Sequence, residues 1–301
     1  MTRTSVPNAV AAALAVLALS AHPLRAQDEG SLDTTFTVRA GTALNVSNQQ
    51  GEVVVRAWSR GQIRIVAEYD RARIDIDESA GRINVRSATR HGDNEVNYTI
   101  TVPNGTAIEI GGIGSDVDLT GVCGPATVNT VSGDVHVQCS SGDLVIQSVS
   151  GDVVVTDARG RVEAGSTSGD VEVRDARNDV DAHSVSGDIQ LHGIDGAEVD
   201  AQTVSGNIEY AGRIQDNGRY RFEAHSGDVT VQAAGTLNAT IGVETFSGDF
   251  ESDFPIEIQP GTTLGRQWEF RQGSGSARLR LSSFSGTIAL RRGTAAPSRE
   301  E

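Results

Sequence analysis

Five aspartates recur at one position of a repeated tripeptide. Asp134, Asp152, Asp170, Asp188 and Asp228 each end a Ser-Gly-Asp. If the copies stack, these carboxylates form a row up one edge. Neighbouring charges at strand spacing, about 4.8 Å, repel by roughly 1 kcal/mol per pair in a water-like dielectric. Three arrangements relieve that repulsion. The carboxylates can be solvated and bonded to turn amides. They can be offset by arginines at other edge positions, such as Arg159 and Arg177. Or they can bind calcium, as stacked aspartates do in nine-residue G-G-x-G-x-D-x-U-x solenoids. A further Ser-Gly-Asp at Ser141 gives this chain a nine-residue half-period, but the paired glycines and the x-Gly-x-Asp order are absent. No resident metal or cofactor is therefore expected, with calcium at the aspartate row as the alternative.

Other chemistry has less to stand on. The hydrolase elbow G-x-S-x-G is absent; the nearest string, GSTSG at 165–169, has Thr167 at its centre. There is no H-E-x-x-H, no phosphate-binding loop and no C-x-x-C. GGIGSD at 111–116 is glycine-rich, but no helix follows to present a phosphate site. The histidines (His22, His91, His136, His183, His192 and His225) share no ligand spacing. No residue is expected to be catalytic. The rival is a carbohydrate-active solenoid enzyme or polysaccharide binder, which would line a groove with carboxylates or arginines. Its residues would come from the less regular stretches: Arg213, Arg219, Tyr220 and Arg221 in one, Trp268, Glu269 and Arg271 in the other. These form the candidate interaction surface. Cys123 and Cys139 fall in turns of adjacent repeats, a spacing compatible with a disulfide. A Cys123–Cys139 bridge is expected.

The elements that must position these residues follow from the repeat. Ser-Gly-Asp or Ser-Gly-Asn begins at Ser132, Ser150, Ser168, Ser186, Ser205, Ser226 and Ser247, 18 to 21 residues apart. Ser-Gly-Thr follows at Ser285, two units further on, and Gly114-Ser115-Asp116 is an irregular early copy. Stacking 150–167 over 168–185 brings Val153 and Val155 over Val171 and Val173, and Val162 and Ala164 over Val180 and Ala182. Each unit thus holds two short strands of period two, with a turn at Gly160 or Asn178 between them. Such a unit buries one face only by stacking on its neighbours. The fold class is all-β: a single-domain β-solenoid of 18–21-residue rungs. About nine rungs make a rod on the order of 40 Å long. Strand parity turns Val131 and Gly133 inward with Val135 and Val137, and Ser132 and Asp134 outward.

The solenoid is expected over 115–291, after a less regular β cap over 27–114 and before a disordered tail over 292–301. In the cap, ALNVSNQQGEVVVRAW reads as a loosened repeat, with Gly51-Glu52-Val53 after a three-residue excursion. A cap is needed because an open solenoid end exposes strand edges. Residues 211–225 carry an insertion at Asp216-Asn217-Gly218, and 251–284 read as two lengthened rungs with a turn at Pro260-Gly261. Ahead of the cap, Arg3, the apolar run Ala9–Ala21 and Leu24-Arg25-Ala26 read as a secretory signal over 1–26. The apolar run is too short to span a bilayer, and no later segment of the mature chain is apolar enough. The net charge is −15, with 40 acidic residues against 25 arginines and no lysine. That balance excludes nucleic acid and anionic membrane surfaces as partners.

The stretches FTVRAGTALNVSNQQGEVVVRAW and YTITVPNGTAIEIGGIGSDVDLTGV, the repeated VSGDVxV and the closing GSGSARLRLSSFSGTIALRR resemble the bacterial putative-adhesin family. These are secreted or envelope-associated β-strand-repeat proteins whose domain has no assigned function. The resemblance implies a β-solenoid in the periplasm or outside the cell, and it carries over no catalytic residues. The expected function is an exported, non-enzymatic adhesion or interaction module of the envelope or surface, meeting an envelope protein or a glycan. A self-assembling envelope scaffold of rods stacked end to end is the alternative within the same class.

Overall fold

Valines at alternate positions, interrupted by a turn about every nine residues, make strands of four to six residues through the regular repeat. The computed structural model describes residues 29–70, 72–79, 81–89, 95–255 and 267–293. The signal over 1–26, the Pro260-Gly261 turn and residues 294–301 of the tail lie outside the described residues. Before the regular repeat come β1 (Glu29–Thr37), β2 (Ala43–Trp58), β3 (Gln62–Asp70), β4 (Ala72–Ser79), β5 (Arg82–Thr89), β6 (Val96–Pro103) and β7 (Ile108–Thr120). The repeat itself runs through β8 (Ala126–Asn129), β9 (Val135–Ser140), β10 (Leu144–Ser148), β11 (Val153–Ala158), β12 (Val162–Ser166), β13 (Val171–Arg174) and β14 (Val180–Ser184). It continues through β15 (Ile189–Ile194), β16 (Glu198–Thr203), β17 (Ile208–Arg213), β18 (Arg219–Ser226) and β19 (Val229–Ala234). The chain closes with β20 (Ala239–Thr245), β21 (Phe250–Ser252), β22 (Gln267–Gln272), β23 (Ala277–Ser285) and β24 (Ile288–Gly293).

From β8 to β17 each strand pairs in parallel with the strand two ahead, one coil later. Val135, Val153, Val171 and Ile189 thereby lie in one file, and Leu144, Val162, Val180 and Val199 in another. Even-numbered strands build one face and odd-numbered strands the other. Their inward valines, leucines and isoleucines meet in one apolar core. The chain is a β-solenoid, as its spacing predicts.

Both ends depart from simple sequence order. At the C-terminal end β23 pairs with β18 on one side and β20 on the other, and β24 lies between β19 and β21. The last rung is therefore inserted beneath the one that precedes it in the chain. Residues 251–284 are not two lengthened rungs in order. They are the edge strand β21, the antiparallel strand β22 that covers β20, and most of β23. The apolar files explain the insertion: Leu279 and Leu281 continue the file of Tyr220 and Phe222 without a break.

The N-terminal end mirrors this. β2 is one long strand that serves both faces, stacked on β7 along nearly its whole length. Gly51-Glu52-Val53 stands over Ser115-Asp116-Val117, so the loosened repeat is a full rung. β7 itself runs unbroken through 114–115, where the sequence reading passes from cap to repeat. Outside β2 lie β5 and β6, then the antiparallel strands β4, β3 and β1.

The glycine of each Ser-Gly-Asp sits at an inner corner with backbone packed against it. A Cβ on Gly169 would stand 2.2 Å from the carbonyl oxygen of Gly151, and one on Gly151 would stand 2.0 Å from that of Gly133. The obstruction is backbone, which cannot swing aside. Gly169→Ala is therefore expected to destabilise the fold by about 3 kcal/mol. Gly242→Ala, with nothing within 4 Å of the added Cβ, should change stability by less than about 0.5 kcal/mol. Chemical denaturation of both variants checks the contrast; equal losses would remove the corner as the cause.

Candidate functional site

Most of the polar residues that looked capable of chemistry are absorbed by the corners. Each aspartate of the row accepts the backbone N–H of its counterpart one rung on. Asp134 N–H donates to Asp116, Asp152 to Asp134, Asp170 to Asp152 and Asp188 to Asp170, at 2.8–3.0 Å. Asn207 takes an aspartate's place between Asp188 and Asp228 with the same geometry. The carboxylates are exposed and bonded to turn amides, so solvent and N–H dipoles relieve the row. Arg159 and Arg177 stand at the opposite corner of the coil and do not offset it. Among the described residues no group of three or more His, Cys, Asp or Glu could hold a metal ion.

Beside this row runs a second one that the sequence reading missed. Ser166 accepts the N–H of Gly169 at 2.9 Å and donates to the carbonyl of Gly151 at 3.0 Å. Ser184 and Thr203 repeat the donation to Gly169 and Gly187. The signal was available: a Ser or Thr three residues before the glycine at Thr130, Ser148, Ser166, Ser184 and Thr203. All are buried. Thr245 holds the same position in the outer rung, and its buried hydroxyl has no partner.

Between the hydroxyl and the serine the parity argument fails. Val131 is turned outward, 43% exposed, and Val149, Val185 and Val204 follow at 45%, 45% and 47%. The opposite corner shows why. There Cys139, Asp157 and Asp175 adopt positive φ near 55°, and the next residue, Ser140, Ala158 or Ala176, tucks into the core. The Ser-Gly-Asp corner has no such left-handed residue before it. Its buried position is taken by the hydroxyl, and the following side chain is left outside. Inter-rung pairing aligns these outward residues as Ile113, Val131, Val149, Thr167, Val185, Val204, His225, Phe284 and Phe246. The last three stack ring on ring, with centroids 4.8 and 4.7 Å apart and planes within 16° and 5°.

At its C-terminal end this stripe forms one wall of an open trough of about 1100 Å³. Val185, Val204, His225, Phe284 and Phe246 make the apolar wall. His183, Gln202, Glu223, Glu244 and Gln267 make the polar wall, and the hydroxyl row lies on the floor. His183 reaches across Gly165 to Gln147, 3.2 Å from its Oε1. Arg221 binds Glu223 and lies 3.7 Å from Asp200. Burial and the neighbouring Asp200 push the Asp181 carboxyl above its ordinary range.

The candidate interaction surface dissolves on inspection. Tyr220 is buried against Tyr210; its hydroxyl donates to the carbonyl of Gly196 at 2.7 Å and accepts from the N–H of Gln215. It closes the insertion at 215–218 from inside and cannot stack on a sugar. Trp268 is half-buried against Phe250 on the outer strand β22. Arg213, Arg219 and Arg271 are exposed, and Arg221 and Glu269 share the outward side of the even-strand face. Arg213 lies on β17, on the other face. The expected bridge is likewise not formed. Cys123 and Cys139 are exposed free thiols, because the rung neighbour of Cys139 is Gly121, two residues short of Cys123. Partial burial, then a hydrogen bond with Asp157, push the Cys139 thiol up.

A family model described as Toastrack DUF4097 matches residues 41–291, nearly the whole stretch from β2 to β24. The chain belongs to the Toastrack family. The solved structure of a putative adhesin from Parabacteroides distasonis ATCC 8503 is similar, with a TM-score of 0.50 at 12% identity over 88% of this chain and 98% of that one. A putative cell adhesion protein from Clostridium sporogenes ATCC 15579 aligns over 88% and 99% at 8% identity, with a TM-score of 0.22. Of these two the first bears on the fold, which it shares with this Toastrack chain. No curated protein matches the sequence.

The aspartate row gives a direct test. Asp170→Ala removes one carboxylate–amide bond and should cost about 1 kcal/mol at this exposed corner. Asp170→Asn should cost less than half of that, since Asn207 already fills the position in the native chain. Calcium should leave the melting temperature of the wild type unchanged. A calcium-dependent rise that Asp170→Asn abolishes would turn the row into a metal site.

Proposed function

We propose that this Toastrack chain is exported and acts as a non-enzymatic interaction module of the cell envelope or surface, with the stripe and its trough as the contact surface. The observation that carries the reading is the stripe. Exposed apolar patches on a protein surface mark contact sites, and this row spans nine consecutive rungs and is apolar at seven of them. Corner geometry does not require it, since Thr167 and His225 occupy the same position without disturbing the coil. The leader-like segment 1–26 supports export. The adhesin description of the Parabacteroides structure supports adhesion. Among the described residues no helix is long and apolar enough to cross a membrane.

End-to-end scaffolding fits less well. At the N-terminal end the antiparallel strands β1, β3 and β4 cover the coil, and at the C-terminal end β22 covers the even-strand face. A second rod would have to displace them to continue the parallel ladders.

The test is retention of the purified chain on an envelope preparation. Phe246→Ser/Phe284→Ser should reduce retention about tenfold, the loss expected when two central apolar contacts are truncated. Its melting temperature should stay close to the wild type, because both rings are exposed. Retention equal to wild type would remove the stripe as the contact surface. Export is checked by mass spectrometry of the chain recovered outside the cytoplasm, with Gln27 expected at its N-terminus.

A further inference from the structure

Resting on the reading of the trough as the contact surface, we infer that its occupant is an extended, basic polypeptide segment with apolar residues in alternation. Three observations choose this occupant. The first is shape. The trough crosses six strands, β14, β16, β18, β23, β20 and β22, which at strand spacing is a length of about 24 Å. Its two walls, His183, Gln202, Glu223 and Glu244 against Val185, Val204, His225 and Phe246, are two residues apart along each strand, a separation of about 7 Å that suits an extended chain better than a helix about 10–12 Å across.

The second observation is the arrangement of the rings. Sugars stack on aromatic faces. The faces of His225 and Phe284 are occupied by one another, and Phe284 is covered on its other side by Phe246. At the centre of the stack Phe284 offers only its edge, in line with Val185 and Val204. That suits aliphatic side chains of a peptide laid along the coil better than pyranose rings.

The third is charge. The opposite wall carries Glu223 and Glu244 among the hydrogen-bonding groups of His183, Gln202 and Gln267, and no arginine lines it among the described residues. One outward position away on the same face stand Asp181, Asp200, Arg221 and Arg280, where burial first and then Asp200 raise the Asp181 carboxyl. Arg221 is shared between Glu223 and Asp200. The whole chain carries −15. A cationic guest lowers the energy of this wall; an acidic polymer, an anionic bilayer or a second copy of the chain raises it. An alternating basic and apolar segment presents its apolar side chains to the stripe and its cations to the carboxylates at once, because successive side chains of an extended chain point to opposite sides.

The probe is a synthetic ten-residue peptide of alternating Val and Arg, labelled at one end, titrated with the full chain by fluorescence anisotropy. Saturable binding is expected, weakening steeply as salt is raised. Glu223→Gln/Glu244→Gln and, separately, Val204→Ser/Phe246→Ser should each weaken it at least tenfold. Asp118→Asn/Glu209→Gln removes the same charge from the odd-strand face and should leave binding within twofold. A peptide with Glu in place of Arg should not bind. Equal weakening by the two charge-removing pairs would reduce the effect to net charge and overturn the inference. So would absence of peptide binding while an uncharged β-glucan, a phospholipid vesicle or a second copy in sedimentation binds in a manner that Phe246→Ser abolishes. In those cases envelope retention would still depend on Phe246 and Phe284, so the partner class would fall while the contact surface stood. Loss of that dependence as well would remove both.

Discussion

At the inner corner of each regular rung, a carbonyl oxygen stands about where a Cβ would otherwise be. The chain can coil at this pitch because the residue there is glycine, with the next rung's glycine laid directly upon it. Two satellite hydrogen bonds fix the same point from either side. The buried hydroxyl three residues earlier takes the glycine N–H. The aspartate one residue later takes the amide of the rung above. The corner carries no exposed backbone donor that would invite another chain, and no freedom to slip by a residue. A slip would lay the hydroxyl over the stripe position and leave buried N–H groups unpaired.

Once that corner is fixed, every outward side chain belongs to a row at strand spacing. A single outward choice repeated in each unit becomes a continuous surface. Val131, Val149, Val185 and Val204 are four residues in sequence but one ridge in space. The regular repeat therefore builds a continuous outer ridge as well as core. The aromatic residues gather where the rungs lengthen: Tyr210, Tyr220 and Phe222 fill the wider interior, while His225, Phe284 and Phe246 extend the ridge outside. The insertion of β23 between β18 and β20 is what brings Phe284 between His225 and Phe246.

The fold was legible because its periodicity is carried by residues with one job each: valines that alternate, a glycine that cannot be replaced, an aspartate that bonds upward. The same logic read β2 as a loosened repeat through Gly51-Glu52-Val53, though it left the strand in the cap, and pairing with β7 makes it a rung. The candidate site was much less legible, for two physical reasons. Strand parity presumes a straight strand, and between Ser148 and Gly151 the chain turns, so Val149 leaves the core. Rung order presumes sequence order, and the register of Leu279 and Leu281 on Tyr220 and Phe222 overrides it. Tyr220 misled for a related reason. A tyrosine beside an insertion looks like a surface residue until its hydroxyl proves to be holding Gln215 and Gly196 together.

The two corners of the coil divide the labour. Both lay glycine against backbone, as Gly160 over Gly142 shows for the second, although Asn178 takes the glycine's place there in the next rung. Only the second adds a left-handed residue, supplied by Cys139, Asp157, Asp175 and Gly193, that turns the following side chain into the core. That corner exposes polar residues, Ser141, Arg159, Arg177 and Asp195. The Ser-Gly-Asp corner satisfies its backbone with a hydroxyl instead, and so one side chain per rung is set outside without loss to the core. A position freed from packing in this way is free to carry chemistry of any kind. Its being apolar over most of the coil, and aromatic along the trough, is the reason for proposing the ridge rather than the aspartate row as the contact surface.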